Sequence, residues 1–260
     1  MKGVLYISHG SRVDETKKEV EALIADVRGL VDAPLQELCY LELAEPDIAA
    51  GFEKLVAQGA DDIAVVPMLL FSAGHYFQDI PEELEPLSEK HPHVRIRYGR
   101  PLGVQERLTN VAAGRIHETG KEVNSDAQIV LIGRGSKAPE TKAATKLIGR
   151  QLKKKTGIRR VEVCYLAACE PKFEEGLYKA LQKTERPIFL VPYLWFTGLL
   201  IQSLEKKAEE LRSQGEEVYL CGYLGTHPSV AAALAERAEE ALFSTREPDI
   251  QVEESKAWWI

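Results

Sequence analysis

Short runs of apolar residues alternate along the chain with longer stretches in which apolar positions recur every three to four residues. In the first half the runs cover residues 4–8, 35–41, 63–70 and 94–98, and the periodic stretches cover 15–30, 47–57, 81–89 and 104–117. A continuous apolar run of this length fits a strand buried on both faces, whereas a period of 3.6 marks a helix with one buried stripe. The order is therefore βαβα, which predicts an α/β fold with a small parallel sheet and helices on both faces. The second half repeats it, with strands expected at 129–132, 161–166, 188–194 and 218–221 and helices at 142–155, 171–181, 204–213 and 229–243. Two tandem domains follow, 1–122 and 123–245, joined through the polar stretch 118–126. An acidic, aperiodic tail, 246–260, ends in Trp258-Trp259-Ile260, to which the sequence assigns no role.

The halves are related by duplication. Cys39-Tyr40-Leu41-Glu42-Leu43-Ala44-Glu45-Pro46 returns as Cys164-Tyr165-Leu166-Ala167-Ala168-Cys169-Glu170-Pro171, an offset of 125 from residue 39 to residue 164. The same offset carries Ile7-Ser8-His9-Gly10-Ser11 onto Ile132-Gly133-Arg134-Gly135-Ser136, and residues 66–72 onto 191–197. With one residue dropped in the second copy, Gly74-His75 falls on Gly198-Leu199. What both copies keep serves the fold, and what one copy alone keeps is a candidate for function. Glu45-Pro46 and Glu170-Pro171 belong to the first kind: proline suits the first turn of a helix and an acid there suits the helix dipole. His9, Glu42 and His75 belong to the second, because their counterparts are Arg134, Ala167 and Leu199.

Composition narrows the classes. The chain of 260 residues carries 33 Lys and Arg against 40 Asp and Glu, a net charge of −7, and has no basic stripe interleaved with aromatics. Nucleic acid is not an expected partner. The four cysteines form no C-x-x-C pair, which argues against zinc knuckles, iron–sulfur ligation and a disulfide framework and suits a reducing cytosol. The chain opens directly on the first apolar run, and no run approaches membrane-spanning length, so a cytoplasmic protein without a membrane partner is expected. With both halves in one chain, a monomer is expected.

In open α/β sheets ligands gather beyond the carboxyl ends of the strands. His9 ends the first strand, Glu42 ends the second and His75 follows the third, so three strands deliver two imidazoles and a carboxylate to one rim. That donor set suits a borderline divalent metal such as Fe²⁺, Co²⁺ or Ni²⁺ with positions left open. The plainer alternative has the histidines capping backbone groups in polar loops and Glu42 as an outward strand residue. Gly10 allows close approach of the backbone, and Ser11 and Arg12 with neighbouring amides could hold a carboxylate, although a tight turn before a helix explains the same residues. Gly133-x-Gly135-x-x-Ala138 superficially matches a dinucleotide fingerprint, but the next strand ends in Ala167 rather than an acid for ribose.

Four segments together carry a resemblance: Ile7-Ser8-His9-Gly10-Ser11-Arg12, Leu41-Glu42-Leu43-Ala44-Glu45-Pro46, residues 66–75 ending in Ser72-Ala73-Gly74-His75, and Asp79-Ile80-Pro81. The chain resembles the class II chelatases that act on sirohydrochlorin, over nearly its whole length, and is most similar to the ferrochelatases of Bacillus-like bacteria. The resemblance implies two chelatase-like domains facing across a cleft and insertion of Fe²⁺ into sirohydrochlorin to form siroheme. It implies no permanent cofactor, the metal being a co-substrate. It assigns His9 and His75 as metal ligands and proton acceptors, with Glu42 as the accompanying acid. Arg12 and Arg134 become candidates for the acidic rim of the macrocycle, with Ser11 and Gly74 as further substrate contacts. Leu69, Leu70, Phe71, Tyr76, Phe77, Leu199 and Leu200 become candidates for apolar walls, Tyr76 among the substrate contacts. The chain lacks the His-rich stretch and cysteine cluster of some long cobalt-inserting relatives, which leans towards iron. The alternatives are insertion of cobalt or nickel, a non-catalytic carrier of tetrapyrrole or metal, and a phosphohistidine phosphatase. In the last, arginine precedes the histidine, where Ser8 stands here.

Overall fold

The computed structural model describes residues 1–183 and 186–243, so the tail and its two tryptophans lie outside the described residues. The first half runs β1 (Lys2–Ser8), α1 (Asp14–Arg28), β2 (Leu35–Tyr40), α2 (Ile48–Ala57), β3 (Asp62–Pro67), a π-helical turn (His75–Asp79), α3 (Ile80–Lys90), β4 (Arg95–Tyr98) and α4 (Glu106–His117). The second runs β5 (Gln128–Gly133), α5 (Pro139–Thr156), β6 (Arg160–Tyr165), α6 (Phe173–Leu181), β7 (Ile188–Pro192), α7 (Leu199–Ser213), β8 (Val218–Leu220) and α8 (Pro228–Phe243).

Each half contributes one four-stranded, all-parallel sheet, in the orders β2-β1-β3-β4 and β6-β5-β7-β8. The apolar runs explain the order. The inner strands β1, β3, β5 and β7 carry the continuous apolar runs, and from Gly3 to Ser8 in β1, from Ile63 in β3 and throughout β5 and β7 every residue is buried, as central positions covered on both faces require. Leu5, Ile7, Cys39, Phe52, Leu55, Val65, Ile80 and Leu84 meet in one core; Val130, Ile132, Cys164, Phe173, Leu177, Leu190 and Leu204 meet in the other. All four cysteines are buried, and burial pushes the Cys164 thiol up to about 12 and raises those of Cys39 and Cys221 as well. A buried thiol kept protonated is a packing group and not a metal ligand.

The repeat does not coincide with the compact units. Contacts between residues place 1–12, 27–102 and the last turns of α8 from Leu234 in one unit, and 13–26 and 103–233 in the other. Within the second unit, α1 is fixed by the Thr16 hydroxyl donating to the Thr197 carbonyl at 3.0 Å and by Glu19, which accepts from the Thr197 N–H at 2.9 Å and from the Tyr223 hydroxyl. Within the first, α8 is fixed by Arg237 donating to the carbonyls of Pro101 and Leu102 and by Lys2 donating to the Leu242 carbonyl.

Three expectations need correction. β3 ends at Pro67, because the Leu69 N–H turns back to the Pro67 carbonyl at 2.8 Å and carries the chain out of the sheet. Leu69 and Leu70 are thus half-buried residues beyond the strand. α7 begins at Leu199, five residues before the expected 204, since exposed Leu199 and Leu200 interrupt the stripe that marks a helix. Finally, Pro46 is not in the first turn of α2: Asp47 caps that helix, its carboxylate accepting from the Ala50 N–H at 2.7 Å. Pro46 stands before the cap, after a cis peptide bond that recurs at Glu170-Pro171. The acids remain structural for a different reason: Glu45 accepts from the Asp47 N–H at 3.1 Å and Glu170 from the Lys172 N–H at 3.0 Å.

Candidate metal centre

The chain leaving β1 is laid against the chain leaving β2. Leu41 N–H donates to the Ser8 carbonyl at 2.8 Å and Glu42 N–H to the His9 carbonyl at 3.0 Å. Gly10 makes this possible: its φ is +93°, and a Cβ there would stand 1.7 Å from the Glu42 carbonyl oxygen, inside any tolerable contact. Leu43 then takes a left-handed φ of 63°, unusual for a bulky residue, with its side chain exposed. The result sets His9 beside Glu42, with Nε2 3.3 Å from Oε1.

His75 arrives by another route. It opens a π-helical turn that runs directly into α3, closed by the Ile80 N–H donating to the His75 carbonyl. The residue of the first copy that has no counterpart in the second, Ala73 in the alignment that pairs Gly74-His75 with Gly198-Leu199, precedes this turn, so the turn itself aligns one for one with residues 199–203 at the start of α7. Core positions stay in phase on its far side: Ile80, Leu84 and Leu87 match Leu204, Ala208 and Leu211 at an offset of 124, and all six are buried. The insertion thus lies in the loop just before the displayed imidazole. His75 stands edge-on to His9, with ring centroids 4.8 Å apart and planes at 85°, and its Nδ1 meets the carboxylate of Asp79.

Asp79 is an acceptor, so in the neutral His75 ring Nδ1 carries the proton and Nε2 presents a lone pair. His9 stands between two acceptors, the Gly10 carbonyl 3.3 Å from Nδ1 and the Glu42 carboxylate 3.3 Å from Nε2. With its proton on Nδ1, its Nε2 lone pair and the Glu42 carboxylate attract each other only through a shared cation.

Of the other residues singled out in the sequence, Ser11 and Arg12 lie in the loop between β1 and α1, half-buried and exposed respectively. Gly74 is exposed immediately before the π-turn. Tyr76 lies within the turn, stacked on Tyr98 at 4.8 Å, and its carbonyl accepts from the Tyr98 hydroxyl at 2.8 Å. Phe71 is half-buried and Phe77 exposed. Arg134 follows β5 in the other compact unit, exposed, and Leu199 opens α7 there. Asp79 was not among the expected site residues. Its signal is the four-residue spacing from His75 and its replacement by Ser203 at the offset of 124. Among the described residues no three His, Cys, Asp or Glu side chains form a group able to hold a metal on their own. The centre is a pair of imidazoles with a carboxylate beside each.

The second copy keeps the scaffold without these groups. Ala167 N–H donates to the Arg134 carbonyl at 2.8 Å, Gly135 has a φ of +94° with a Cβ position 2.1 Å from the Ala167 carbonyl oxygen, and Ala168 repeats the left-handed turn at 57°. Arg134, Ala167, Leu199 and Ser203 supply no neutral nitrogen or carboxylate.

The chain is 40% identical over 244 residues to the sirohydrochlorin ferrochelatase of Priestia megaterium, covering 94% of this chain and 92% of that one. It is 36% identical over 248 residues to a sirohydrochlorin cobaltochelatase of the same organism, covering 93% and 80%. The solved structure of SirB from Bacillus subtilis with Fe³⁺ superposes with a TM-score of 0.85 at 38% identity, covering 93% of this chain and 96% of that one. The CbiX family model matches twice, at residues 3–119 and 128–241, and the chain belongs to the CbiX family.

Proposed function

We propose that this chain inserts Fe²⁺ into sirohydrochlorin to form siroheme, with the metal a substrate, and that His9, Glu42 and His75 of the first repeat do the chemistry. The observation that carries the reading is the T-shaped imidazole pair, 4.8 Å between centroids, with Glu42 against one ring, in a chain 40% identical to a ferrochelatase.

Insertion replaces two pyrrole N–H protons by one Fe²⁺, so two protons must leave as the metal enters. A partly dehydrated cation has to be held over one face of the macrocycle while acceptors take those protons. Neutral imidazole serves as ligand and as proton acceptor, and the carboxylate of Glu42 is placed to receive a proton as the cation leaves it. Holding the metal by few protein ligands suits cargo that must be released to four pyrrole nitrogens. Exposed Leu43 and Phe77, one residue from Glu42 and two from His75, offer apolar surface to a flat ring. Ser11, Arg12 and Gly74 are read as contacts to its carboxylate-bearing edge, and Tyr76 as part of an apolar wall.

The test is purified protein with sirohydrochlorin and Fe²⁺, Co²⁺ or Ni²⁺ in turn, followed by the absorption of the macrocycle. Fe²⁺ insertion well above the rate without protein is expected. The likeness to a cobaltochelatase makes faster Co²⁺ insertion the outcome that would reassign the metal, and binding without turnover the outcome that would make the chain a carrier.

A further inference from the structure

We infer that Asp79 is a positioning residue for His75: its carboxylate holds the Nδ1–H of that imidazole, which fixes the ring and leaves the Nε2 lone pair as the metal donor. This rests on the function proposed above and deepens it, since nothing in the family resemblance gave Asp79 a role.

Two independent observations support it. The first is the contact, in which the Asp79 carboxylate meets His75 Nδ1 within one π-helical turn, so ring and partner ride on the same short piece of backbone. A carboxylate behind a ligating imidazole sets its tautomer and orientation and raises its basicity. The second is the duplication. Both members of the pair are replaced in the second repeat, by Leu199 and Ser203, while the buried residues just beyond them are kept in phase. Ser203 there is exposed and bonds its own helix, its hydroxyl donating to the Leu200 carbonyl at 2.7 Å. If Asp79 served only to start α3, the second repeat would have as much use for it. The carboxylate is present only in the repeat that carries the imidazole.

A double-mutant cycle tests this with Asp79→Ala, Asp79→Ser and His75→Ala, alone and combined. Asp79→Ser copies the residue at the same helical position in the sister repeat, so it stays informative if the alanine variant folds poorly. Each Asp79 variant is expected to lower kcat for insertion by about 10- to 100-fold, the usual cost of losing such a partner. KM for sirohydrochlorin should hold, and Co²⁺ binding in the absence of tetrapyrrole should weaken. In the His75→Ala background the Asp79 changes should add less than about twofold, because a residue acting through another has nothing left to act on. An undiminished kcat in Asp79→Ser, or the same fold-loss with and without His75, would overturn the inference. The two levels of failure separate: an inactive His75→Ala beside a fully active Asp79→Ser sinks the role of Asp79 alone, whereas a fully active His75→Ala removes the histidine from the reaction.

Discussion

His9→Ala and His75→Ala are each expected to lower metal insertion by roughly ten- to a thousandfold, the scale on which a positioned proton acceptor contributes, with little change in melting temperature. Neither side chain belongs to a core: His9 is partly exposed just beyond β1, and His75 is partly exposed on the π-turn. Their packing contribution is correspondingly small, while each contributes a lone pair that alanine cannot replace. Steady-state insertion rates and thermal melts on the same preparations check both halves of the expectation. Near-normal turnover in either variant, or a protein that does not fold, would contradict the assignment.

Gly10→Ala should be as damaging to activity and should cost stability too. The added Cβ would lie 1.7 Å from the Glu42 carbonyl oxygen, so the strand ends that bring His9 and Glu42 together have to part. The left-handed φ adds about 1–2 kcal/mol for any residue with a Cβ, and each kcal/mol corresponds to about 2–4 °C of melting temperature at this size. Gly135→Ala faces the same obstacle in the second repeat, 2.1 Å from the Ala167 carbonyl oxygen, and should lower melting comparably. Turnover, measured where each variant is still folded, should separate them, with Gly10→Ala largely inactive and Gly135→Ala close to wild type. Equal turnover in the two would mean that the geometry around His9 and Glu42 does not matter to the reaction.

The strands, the helices and three of the four groups that lie together in the candidate centre could be read in the sequence, because the duplication supplied a comparison within one chain. His9 and Glu42 could be read so cleanly because they sit in segments aligned at one constant offset. Asp79 was harder to see, since it lies past the point where the offset changes from 125 to 124, and an extra residue between strand and helix looks like loop. Only the backbone shows that the residues just after it form a π-turn, which brings His75 and Asp79 into contact. The function of Glu45 and Glu170 was visible as structural because both copies keep them, yet the mechanism was not: proline at a helix start and proline one residue before a cap read alike in sequence. The sharing of α1 and α8 between compact units was equally hidden. An amphipathic stripe says that a face is buried, not against which sheet.

The central claim is that one repeat of two handles metal. Titrating the chain with Co²⁺, read by its visible absorption, counts the sites directly. One site per chain is expected in the wild type and none in the His9→Ala/His75→Ala double variant; two equivalent sites per chain, or an undiminished site in the double variant, would contradict the asymmetry between the repeats.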